Sequence, residues 1–142
     1  MTIKETAGKV LLYFYQLQRT DPLSMQYRQL AFISKKGAGV AFTSDKKPFA
    51  KDLLDLNPNA TDFFNAFLFL VDKKFIVTEE RANAHARVFV GAQVTDKGID
   101  VIEGIEGSDR NREFFEDNFN ISVSKGTTID SLVRAQLKAI LG

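Results

Sequence analysis

The 142-residue sequence predicts an α+β fold, and three observations carry that assignment. Apolar residues recur at helical spacing through Ile3, Ala7, Val10, Leu11, Phe14 and Leu17. Two strand-like runs, Phe75–Thr78 and Arg87–Val94, flank the polar tip Glu79–Ala86. The second run leaves through Thr95, a residue type that caps a helix, and a short helix carrying Ile99, Ile102 and Ile105 follows, with Gly98 in its first turn.

Composition bounds the rest. Hydrophobic residues make up 44% and charged residues 26%, the balance of a chain that folds around a core. No apolar run approaches the ~18 residues of a membrane helix. The start MTIKETAGKV lacks the apolar core and small-residue cleavage site of a signal peptide, so the expected location is cytoplasmic. With no cysteine there is no disulfide framework, no thiolate nucleophile and no cysteine metal site. One histidine excludes an all-histidine metal site within a chain, and no metal or cofactor is expected. Nineteen Lys and Arg against 18 Asp and Glu give no global bias toward nucleic acid or membrane.

Taken in order, the first helix begins at a capping-box pattern, Thr2-Ile3-Lys4-Glu5, and closes at Asp21-Pro22. Leu12, Tyr13 and Tyr15 make it apolar on more than one face, so it is either central or shared with a partner chain. Residues 22–47 read as an irregular or hairpin insertion. Leu30–Ile33 and Val40–Phe42 would be its strands around Lys35-Lys36-Gly37-Ala38-Gly39, with a helix from Ser24 to Ile33 as the alternative. Arg28–Lys51 carries six positive charges against Asp45 alone, the one local bias in the chain. Pro48 suits a helical first turn, Asn57-Pro58-Asn59 is a turn, and Asn59 or Thr61 caps a helix through Phe63, Phe64, Phe67, Leu68, Leu70 and Val71. Residues 1–106 therefore form the domain. Residues 107–113, polar and glycine-containing, read as a linker. Residues 114–142 are a C-terminal extension, with a short strand at Phe119–Val123 and a helix from Thr127 to Leu141.

The order helix, short helix, helix, hairpin, capped helix resembles a winged helix-turn-helix. Phe67–Val71, Lys73-Lys74-Phe75-Ile76-Val77 and Val94-Thr95-Asp96-Lys97-Gly98-Ile99 carry the likeness to bacterial and phage winged-helix proteins, the YjcQ-like group among them. The last string is similar to the hydrophobic-Thr-x-x-Gly-hydrophobic exit by which such domains leave the wing. The resemblance implies a winged helix-turn-helix core with a strand/helix extension, and double-stranded DNA as a partner.

The residues support that partner unevenly. A helix reading a major groove presents Arg, Lys, Asn or Gln to base edges. Here the positions on offer are Thr61, Asp62, Asn65, Phe69 and Asp72, with no basic residue before Lys73. The wing tip holds Arg81, His85 and Arg87 around small residues that allow close approach to a backbone, but Glu79 and Glu80 blunt the field. The candidate contacts are Lys46, Lys47, Asn59, Thr61, Asn65, Arg81, His85 and Arg87. Lys35–Gly39 lacks the Walker spacing and reads as a turn with solvated lysines. His85 has no nucleophile elbow near it, and Glu113, Glu116 and Asp117 sit by the linker as a solvated surface, so no enzyme is expected.

Two readings follow: a DNA-binding regulator of bacterial or phage origin, or a winged-helix interaction and assembly module that binds no DNA. Residues 1–107 carry 14 positive and 13 negative side chains, which favours the second, while DNA binding as the usual office of the fold favours the first, and the first is the expected function with the second as its alternative. A homodimer is expected in either case. Ile129, Leu132, Val133, Leu137, Ile140 and Leu141 form a stripe that must be covered, by this chain as a lid or by a neighbour.

Overall fold

The computed structural model describes residues 2–20, 29–33, 40–41, 60–81 and 86–138. Within them lie five helices and four strands: α1 (Ile3–Thr20), β1 (Gln29–Ile33), β2 (Val40–Ala41), α2 (Ala60–Asp72), β3 (Ile76–Arg81), β4 (Ala86–Val94), α3 (Asp96–Glu103), α4 (Asp109–Phe119) and α5 (Ile129–Gln136). A 3₁₀ turn at Gly104–Glu106 follows α3. The architecture is mixed α and β. Gln29–Ile33 is strand and not helix. The helix at Pro48, the Lys35–Gly39 turn and the Asn57–Asn59 turn fall outside the described residues.

The sheet is antiparallel, in the order β2-β1-β4-β3. β1 meets β2 at Ala31–Ala41 and β4 at Ala31–Val88, while β3 meets β4 from Ile76–Val94 to Arg81–Val88. The β3–β4 pairing slips between Val77 and Glu79, where Gly91 takes a φ of +66° that side chains resist. The described β1 ladder ends at Gln29–Val90, so Val94 lies beyond it. Gln18 of α1 takes the place of a neighbouring strand there. Its Oε1 accepts from the Val94 N–H at 2.8 Å, and its Nε2 donates to the Val94 carbonyl at 3.3 Å.

Thr2 starts α1 by accepting from the Glu5 N–H at 3.1 Å. Every residue from Val10 to Tyr15 is buried, because α2, α4, α5 and the sheet all pack on this helix. Phe14, Phe67 and Phe89 stack from α1 through α2 to β4, with ring centroids 6.3 and 4.9 Å apart. Phe75, Phe119 and Phe115 join the hairpin to α4 at 5.4 and 5.0 Å. At Gly8 a Cβ would lie 2.9 Å from the Phe119 Cβ and 2.7 Å from the Ile121 Cδ1, so glycine sets how closely the C-terminal segment crosses α1.

The linker at 107–113 is corrected: most of it is the first half of α4. Ser108 caps that helix, accepting from the Asn111 N–H at 3.2 Å. Arg112 is buried, donates to the Ile105 carbonyl at 3.0 Å and pairs with Asp109. The buried stripe is thus Arg112, Phe115 and Phe119, and its first member is charged. The strand at Phe119–Val123 is corrected too. Phe119 ends α4, Asn120 adopts a left-handed φ of +51°, and the buried Ile121 and Val123 alternate with exposed Ser122 without a ladder. The Val123 N–H goes instead to Glu116 Oε1 at 2.6 Å.

The tail helix starts later than the sequence suggests. Thr128 and Ser131 form a capping box, each accepting the other's N–H at 3.0 Å. Leu132, Val133 and Leu137 are buried in the chain's own core, against α1. Arg19 reaches Asp130 at 3.3 Å, and Glu106 Oε2 accepts from the Ile129 N–H at 3.2 Å. The described part of the stripe from which self-association is expected, Ile129, Leu132, Val133 and Leu137, packs within the chain, so that part supplies no argument for a dimer. Ile140 and Leu141 lie outside the described residues. No helix among the described residues is long and apolar enough to cross a membrane.

Candidate nucleic-acid interface

The spacing of Phe63, Ala66, Phe67 and Leu70 buries one side of α2. Thr61 and Asn65, one turn apart, are exposed on another side, with Asp72 exposed at the end. The helix contains no lysine or arginine. It closes in a Schellman turn: the Phe75 N–H donates to the Leu70 carbonyl at 2.9 Å and the Lys74 N–H to the Val71 carbonyl at 3.0 Å. Lys74 occupies the left-handed position with φ +63°.

The hairpin is fastened to this turn by Thr95 and Lys97. The Thr95 hydroxyl donates to the Lys74 carbonyl at 2.6 Å and accepts from the Gly98 N–H at 3.1 Å, while its own N–H donates to the Phe75 carbonyl at 3.0 Å. A Cβ on Gly98 would lie 2.5 Å from that Phe75 oxygen, so the close approach requires glycine. Lys97 Nζ donates to the Lys73 carbonyl at 2.7 Å and sits 4.7 Å from the Phe75 ring centroid. That cation is engaged at the end of α2 while its side chain stays exposed.

The hairpin arginines are paired. Arg87 donates to both oxygens of Glu80, Nε at 2.7 Å and Nη2 at 2.9 Å, with its guanidinium 5.3 Å from the Phe64 ring and 5.5 Å from the Phe89 ring. The hydrogen bonds hold the Glu80 carboxyl below its ordinary range and raise Arg87. Arg81 lies 3.7 Å from Glu79. Exposed pairs of this kind contribute roughly 0–1 kcal/mol to stability, so their weight is electrostatic: each cancels a charge that a phosphate would seek. Beyond a Debye length of about 8 Å the residual dipole is screened.

Of the expected contacts, then, Thr61 and Asn65 share a face of α2. Arg87 lies beside Phe64 of the same helix, and Arg81 ends β3. Lys46, Lys47, Asn59 and His85 lie outside the described residues. The sequence reading names Glu80 as blunting the field of the tip, but its direct pairing with Arg87, and the Phe64 ring beside that guanidinium, are missing from it. The register would have found Glu80, since it sits opposite Phe89 and so diagonal to Arg87 across the ladder. A concavity of about 390 Å³ opens between α3 and α4 and is lined by Lys97, Asp100, Val101, Asn111 and Phe114. No protein-family model, curated protein or solved structure proves significantly similar to the chain.

Proposed function

We propose that the chain is a winged-helix-type interaction and assembly module and not a reader of DNA sequence. The order α1, β1, β2, α2, β3, β4, α3 supports the winged-helix part, with β1 joined to the hairpin through β4 as the third strand of a wing sheet would be. The observation that carries the functional part is charge. α2 has no cation to offer base edges, and Arg81 and Arg87 each face a glutamate.

The test is a salt titration against random duplex DNA. Each phosphate neutralised contributes about −0.9 to the slope of log K against log salt. The module reading expects no measurable binding or a slope near zero; a slope of several phosphates refutes it. The regulator reading has one specific support, the six positive charges of Arg28–Lys51 against Asp45. It expects a steep slope that flattens when Lys46, Lys47, Arg81 and Arg87 are replaced by alanine.

A further inference from the structure

We propose that Glu80 is an autoinhibitory contact: it occupies Arg87, a cation at the junction of α2 and the hairpin, and so closes a phosphate site that this junction would otherwise offer. The proposal rests on the interaction-module reading and names the residue that enforces it. α2 has no lysine or arginine of its own, so a cation for its exposed side must come from a neighbouring element. Arg87 of β4 is such a cation, with its guanidinium 5.3 Å from the Phe64 ring. Thr61, one helical turn before Phe64, is exposed. Strand alternation sets the two hairpin pairs apart. Glu80 stands opposite Phe89, the ring that meets Phe67 of α2 at 4.9 Å, and Arg87 lies two residues from Phe89 on the same face. Arg81 stands opposite Val88, so it and Glu79 lie on the other face. Of the two pairs, only Glu80–Arg87 is on the side of α2.

The geometry of the pair makes it a competitor of phosphate. One edge of the guanidinium fills both carboxylate oxygens, Nε at 2.7 Å and Nη2 at 2.9 Å. A phosphate takes the same two-pronged edge of an arginine. The Phe64 and Phe89 rings, 5.3 and 5.5 Å from the guanidinium, hold the group where it is. Three protons on the guanidinium remain for another acceptor. A phosphate using them would share one cation with the Glu80 carboxylate and be repelled by it. Opening the pair does not relieve this, because the freed carboxylate stays beside the incoming anion. Glu80 therefore acts twice, by occupying Arg87 and by repelling its rival.

Fluorescence anisotropy of random duplex DNA at low ionic strength tests the proposal on the full chain. Glu80→Gln and Glu79→Gln change the net charge equally and keep the side-chain shape, so Glu79→Gln reports what charge alone does. Both carboxylates are exposed, and the thermal midpoint of each variant should stay close to that of the unaltered chain. Glu80→Gln should bind at least about tenfold more tightly than Glu79→Gln and than the unaltered chain, as a gained charged hydrogen bond does. Its salt slope should steepen by about 0.9, the share of one phosphate. Arg87→Ala added to Glu80→Gln should abolish the gain. No gain in Glu80→Gln, an equal gain in Glu79→Gln, or a gain that survives Arg87→Ala overturns the proposal. The module reading fails separately: an unaltered chain that binds with a slope of several phosphates refutes it, while the comparison of Glu80→Gln with Glu79→Gln still decides whether Glu80 is the contact that holds phosphate off.

Discussion

Thr95 shows how much one side chain can hold. Its hydroxyl caps α3 and also donates to the Lys74 carbonyl, which ties the end of α2 to the exit from the hairpin. Thr95→Ala removes both bonds and should destabilise by about 1–2 kcal/mol in urea denaturation, with Thr95→Ser recovering most of the loss. Tyr15 makes a prediction of another kind. Burial and the bond to Glu103 Oε2, at 2.8 Å, push its phenol up to about 12 from 10.0. The folded state therefore binds this proton more tightly than the unfolded state. The contribution is complete below pH 10 and is lost as pH rises through about 12. Denaturation midpoints should fall over that interval, and Tyr15→Phe should flatten the fall while costing about 1 kcal/mol at neutral pH. The capping role of Thr95 and the close packing at Gly98 were readable from residue spacing. The second bond of Thr95 and the Tyr15–Glu103 contact were not, because they join residues 21 and 88 positions apart.

At the scale of the element, local signals succeed where the buried side of a helix is apolar and fail where it is not. α1 and the hairpin carry their pattern in aliphatic and aromatic residues. α4 buries Arg112 with Phe115 and Phe119, so its first half reads as polar chain. A buried arginine is allowed there because Asp109 and the Ile105 carbonyl satisfy it. Ile121 and Val123 mislead in the opposite way, since their alternation reflects packing on one side only and no strand pairs with them. The Schellman turn after α2 is the clearest place to gain stability. Lys74 holds a left-handed backbone that glycine adopts without strain. Lys74→Gly should raise the thermal midpoint, corresponding to about 0.5–1 kcal/mol, provided the Lys74 carbonyl keeps its bond to Thr95.

On the scale of the whole molecule, the C-terminal quarter is part of the same core as the rest. Phe115, Phe119, Ile121, Val123, Leu132, Val133 and Leu137 belong to the one buried cluster that also holds α1, α2 and the hairpin. At about 1.5–3 kcal/mol for each such side chain, their loss would match or exceed the ~5–15 kcal/mol by which domains are stable. A chain ending at Gly107 should therefore lack a cooperative thermal transition and bind a hydrophobic dye, whereas the full chain should not. The candidate interface was half readable: its residue types stand in the sequence, but whether Arg87 is a free cation depends on the register that sets Glu80 beside it.

The Gln18 contact with Val94 bears on how the molecule opens. An amide proton exchanges with solvent only when its acceptor leaves, and the acceptor for Val94 belongs to a helix and not to the ladder. Fraying of the hairpin from its tip cannot release that proton unless α1 also moves. The Val94 amide should exchange with the same free energy as the central amides of α1, well above that of Arg81 or Arg87. Exchange of Val94 in step with the hairpin tip would mean that helix and sheet open as separate units; exchange in step with α1 would make them one.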